Sequence, residues 1–67
     1  MTNELTQEEK ISLVESKIRT CTLMKESLEN YLIDETDLEI IKQYTDGIEE
    51  YTNTINTLKV VKETMLK

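Results

Sequence analysis

Apolar side chains recur at gaps of three and four along two long stretches of the chain, and the residues between them are mostly polar. In the first stretch Ile11, Val14, Ile18, Cys21, Lys25, Leu28 and Leu32 share one side of a helix, and only the lysine breaks the apolar stripe. In the second, Ile41, Tyr44, Ile48, Tyr51, Ile55, Leu58, Lys62 and Met65 continue the same spacing without a slip. Leu32 and Ile41 lie nine residues apart, so the second seven-residue repeat is out of phase with the first by two. One continuous helix would present two misaligned stripes; a turn between them lets the stripes face each other.

The start signals agree with two helices. Thr6 stands three residues before Glu9, the spacing of a capping box, in which hydroxyl and carboxylate satisfy free amides at a helix start. Thr36 stands three residues before Glu39, with Asp37 placed in the first turn, where a carboxylate complements the helix dipole. The expected fold class is therefore all-α: an antiparallel two-helix hairpin of coiled-coil type, with helices over about 6–33 and 37–66 and an acidic turn over about 34–36, forming one domain over 1–67. A short turn predicts the register. Ile11 should face Leu58, Val14 Ile55, Ile18 Tyr51, Cys21 Ile48, Lys25 Tyr44 and Leu28 Ile41, with Leu5 near Met65.

The hairpin core expected from this pattern is Ile11, Val14, Ile18, Cys21, Leu28, Leu32, Ile41, Tyr44, Ile48, Tyr51, Ile55, Leu58 and Met65. Two further features widen the apolar surface beyond it. Met24 and Tyr31 border the stripe on the first helix and Ile40 and Val61 on the second, while Leu38, Val60 and Leu66 add apolar surface near that helix's ends. A stripe wider than one partner can cover belongs in a bundle of three or four helices. A homodimer achieves this with a single self-complementary patch, so a four-helix bundle of two hairpins is expected. The first helix also carries a fainter strip of Leu13, Ser16, Thr20, Leu23 and Ser27, whose small residues would let a different protein's helix approach closely. Its plainer reading is a pair of ordinary exposed leucines.

Composition narrows the function classes. At 67 residues the chain has room for one thin core, and with no proline and one glycine, Gly47, it lacks the punctuation of turn-rich β folds. The net charge of −6 disfavours attraction to nucleic-acid phosphates and anionic lipid, so no direct nucleic-acid or membrane partner is expected. No apolar run suggests a spanning helix, and Met1 to Lys10 is polar where a secretory signal would be apolar. A cytoplasmic location is expected, and the single cysteine, Cys21, agrees with a reducing compartment.

Candidate chemistry is thin. There is no histidine, Cys21 lies on the stripe as a small hydrophobe, and the tyrosines sit at stripe or stripe-edge positions. The acidic run Asp34, Glu35, Asp37, Glu39 lacks the glycine-centred ligand spacing of a calcium loop and fits a solvated, helix-capping turn. No cofactor, metal or catalytic residue is expected. Lys25 and Lys62 interrupt the stripes. They either set register and oligomer number or carry their ammonium groups past the seam to water. The expected function is a non-enzymatic protein–protein interaction module that self-associates and modulates a larger protein, such as a phage- or plasmid-encoded inhibitor or adaptor. Alternatives are an assembly subunit or chaperone of a larger particle, and an acidic mimic of nucleic acid.

Overall fold

The computed structural model describes residues 4–67 as two helices, α1 over Gln7–Leu32 and α2 over Leu38–Leu66, packed against each other along their lengths. The helical hairpin follows from the two stripes. Of the thirteen expected core residues, Cys21 and Ile55 are buried at 4% and 7% exposure and the other eleven are half-buried. Lys25 and Lys62 are half-buried with them.

α1 starts as its sequence specifies. The Thr6 side chain accepts from the Glu9 amide at 3.1 Å, and Glu9 Oε1 accepts in return from the Thr6 amide at 3.1 Å. These bonds favour the charged carboxylate and hold the Glu9 pKa below its ordinary value, with the Thr6 amide the larger cause and the hydroxyl the next. α2 starts one residue later than its sequence suggests. Asp37, not Thr36, is the N-cap, its Oδ1 accepting from the Glu39 amide at 2.9 Å. A carboxylate at this position reaches the second free amide of the helix directly, and Thr36 is left in the connection.

The connection over 33–37 needs no glycine because no described residue adopts positive φ. Ile33 keeps helical angles and bonds back to the Asn30 carbonyl at 3.3 Å, and the Glu35 amide bonds to the Leu32 carbonyl at 3.2 Å. Glu35 Oε1 then accepts from the Thr36 and Asp37 amides at 3.2 and 3.0 Å. A side-chain carboxylate thus supplies the turn's hydrogen bonds, the task that a glycine-stabilised backbone turn would otherwise perform.

This turn changes the register. Tyr44 stacks on Tyr31, with ring centroids 4.8 Å apart and planes tilted by 41°, where Lys25 was the expected neighbour. Gly47 lies beside Leu28, where Ile41 was expected; a Cβ on Gly47 would stand 3.1 Å from Leu28 Cδ1. Both pairs are displaced by six residues, about 9 Å of helix at 1.5 Å per residue. At the open end Gln7 donates its side-chain amide to the Met65 carbonyl, and Lys62 Nζ lies 3.0 Å from Glu15 Oε2, both in the same shifted sense. The cause is the direction of residues 33–37, which begin by continuing along α1, so that α2 starts beyond the end of α1. The new offset brings Cys21 level with Ile55, the two buried residues.

Truncation of Ile55 to Ala is expected to cost about 2–4 kcal/mol, more than Leu58→Ala at a half-buried site, as read from thermal melts. A second expectation concerns acid. Glu9 titrates below its ordinary 4.5, so the capping box contributes fully above that pH and is lost as pH falls through the lowered value. The Thr6 amide resonance should follow this titration in wild type and stay fixed in Glu9→Gln, whose amide caps without ionising.

Candidate interaction surface

A two-helix hairpin is a layer one helix thick, and its shape shows it: 52 × 25 × 16 Å, with a radius of gyration of 15.7 Å. A compact chain of this length would have a radius near 11 Å. The molecule exposes 5523 Å², against about 4400 Å² for a compact monomer of its mass. Among the described residues the excess includes ten exposed large apolar side chains, while only Cys21 and Ile55 are buried.

Helical spacing divides these residues between two broad faces. Flanking the seam on one face are Lys10, Lys17, Met24 and Tyr31 from α1 and Ile40, Gly47, Thr54 and Val61 from α2, each set spaced by seven. Contacts across the seam fix this assignment, since the Tyr31–Tyr44 stack and the approach of Leu28 to Gly47 both lie on this side. Met24, Tyr31 and Val61 are exposed, and Ile40 and Gly47 are half-buried. None of the eight flanking residues is acidic.

The opposite face carries the acids. Its flanking positions include Glu8, Glu15, Glu29 and Lys59, together with the exposed Leu38 and Leu66 at the two ends of α2. Here an open cleft of about 540 Å³ is lined by Glu15, Ile18, Arg19, Lys59, Lys62, Glu63 and Leu66. The Glu15–Lys62 pair lies across it with Glu15 exposed and Lys62 half-buried, open enough to solvent that it contributes little to stability. Lys62 therefore carries its ammonium out of the stripe to a solvated carboxylate.

The expected partner strip of Leu13, Ser16, Thr20, Leu23 and Ser27 is exposed throughout, with the two leucines at 59% and 60%. Its polarity is lower than the residue names suggest, because the Thr20 hydroxyl donates to the Ser16 carbonyl at 3.0 Å and is satisfied within the helix. The same bond hides Thr22 and Thr52, half-buried beside the seam and donating to the Ile18 and Ile48 carbonyls at 2.8 Å each. Pattern reading passed over both threonines by counting them as polar; their position next to the stripe was the available signal.

At the turn, Glu35 is half-buried and serves as a hub. Besides the two backbone amides it holds, its charge raises the Tyr31 pKa, followed in effect by its hydrogen bond to the phenol and by Tyr44. Two carboxylates of the acidic run, those of Glu35 and Asp37, are thus engaged in local hydrogen bonds. Among the described residues no group of three or more His, Cys, Asp or Glu is placed to hold a metal ion, and no helix is long and apolar enough to cross a membrane. Compared with known proteins, the chain matches no family model, and no curated protein or solved structure is significantly similar to it.

The Tyr31 phenol is expected to titrate above its ordinary 10.0, so its neutral contacts persist below that value and are lost as pH rises through the raised one. Glu35→Gln should bring the titration back toward 10.0, as followed by the absorbance of the phenolate.

Proposed function

We propose that this protein is a small acidic, non-enzymatic interaction module: a hairpin that pairs with a second copy to complete a four-helix bundle and binds a larger protein along the outer strip of α1. Among the described residues, ten large apolar side chains are exposed while only Cys21 and Ile55 are buried, and this imbalance carries the reading. Singly exposed leucines are ordinary, but this many on a two-helix layer leave more apolar surface in water than a stable monomer of this size normally carries. The elongated shape supports it, since a layer one helix thick gains most by stacking on another layer.

A non-catalytic role is favoured by the site chemistry. The Cys21 thiol is enclosed in the seam, and the Glu35 and Asp37 carboxylates serve as turn and cap acceptors. The Leu13 to Ser27 strip suits a helix from another protein, because its small residues permit close backbone approach while Leu13 and Leu23 supply the apolar contact.

Sedimentation equilibrium of the pure protein tests the first half, with a dimer of twice the 7.9 kDa chain mass expected at micromolar concentration. The paired change Leu13→Glu with Leu23→Glu tests the second. Helicity and dimer mass should be retained, and capture of the cellular partner should be lost by at least about tenfold, the effect of charging two apolar anchors. A fall in helicity would instead assign both leucines to the core.

A further inference from the structure

We propose that the broad face whose seam-flanking positions carry no acid, the side of Met24, Tyr31 and Val61, receives the second copy, laid antiparallel so that each acidic turn rests beside the partner's open end. The proposal rests on the self-association reading above and specifies its face and its direction.

The choice of face follows from charge. In a chain of net −6, one broad side has no acid at any of its eight seam-flanking positions, while the other has three glutamates among its own. Two copies meeting on the charged side would set glutamates against glutamates, at a desolvation cost and with like-charge repulsion. Meeting on the side whose flanking positions hold no acid, they cover the exposed Met24, Tyr31 and Val61 instead. The area suffices: a face of 52 by 25 Å offers a footprint of about 1300 Å², above the roughly 800 Å² per partner of a standard stable interface.

Direction follows from the lengthwise distribution of charge. Residues 22–54, the half nearer the turn, contain nine acids and two bases, a side-chain charge of −7. The remaining residues contain five acids and six bases, a charge of +1. A parallel pair would place the two strongly negative halves side by side. The antiparallel pair sets each against a weakly positive half, which removes the largest repulsion and orients the encounter.

Side-chain size fits the same arrangement. Gly47, Thr54 and Val61 are evenly spaced by seven on α2, so a twofold axis at the level of Thr54 lays Val61 of each copy at the level of the partner's Gly47, where the Leu28 methyl approaches in place of an α2 side chain. The same axis brings Lys10 to the end of the partner's α1, where Asp34 and Glu35 begin the acidic turn.

The test combines two surface variants with a cross-link. Val61 and its neighbour Val60 are both exposed, but helical geometry turns Val60 away from the proposed face. Val61→Glu is expected to weaken the dimer at least about 100-fold in sedimentation equilibrium with helicity retained, and Val60→Glu to leave it within about twofold. Thr54→Cys, lying at the axis, should form a disulfide-linked dimer under mild oxidation, Cys21 being buried, and should fail to do so when Val61→Glu is added. A dimer broken by Val60→Glu and not by Val61→Glu would overturn the face. An intact dimer in which Thr54→Cys does not cross-link would overturn the direction. Wild type that stays monomeric at millimolar concentration would overturn the self-association reading itself.

Discussion

Two helices can hide only the line along which they touch. Every other property of this protein depends on that constraint, because a seam made from one stripe per helix encloses few side chains even when its pattern is faultless. Cys21 and Ile55 are buried, and the remaining seam residues are half-buried. The threonines beside the seam soften the boundary by returning their hydroxyls to carbonyls one turn back, which lets Thr22 and Thr52 be half-buried without an unsatisfied polar atom.

The turn governs how the seam is filled. Residues 33–37 leave α1 in its own direction before the chain reverses, and Glu35 secures the reversal by accepting from the Thr36 and Asp37 amides. The resulting stagger puts Tyr31 against Tyr44 and Leu28 against Gly47, and it brings the two buried positions, Cys21 and Ile55, level with each other. Gly47 has its place here, since the Leu28 methyl approaches where a Cβ would crowd it. The carboxylates of the turn thus work locally, as caps and turn acceptors, and leave their negative charge at one end of a long rod.

End-weighted charge and the difference between the two broad faces set the terms for the proposed pairing. One face offers apolar and small side chains at flanking positions without acids, and the other offers a charged cleft crossed by an ion pair. In the proposed dimer such a division would favour selective stacking over general stickiness, because acidic flanks and turns oppose other approaches.

Much of this was legible in the residues alone. The seam positions from Ile11 to Met65 follow from spacings of three and four, since a helix returns the same side to its partner at that period whatever the partner is. The start of α1 followed from Thr6 and Glu9 because a capping box closes within four residues. The register, the choice of Asp37 over Thr36 as cap, and the sides on which Met24, Tyr31, Lys59 and Lys62 gather were decided only by the folded structure. They depend on the path of a five-residue connection through space, and a seven-residue repeat is equally satisfied when one helix slides past the other by about a heptad. Periodicity fixes which side of each helix turns inward; only the tertiary structure fixes which residues meet there.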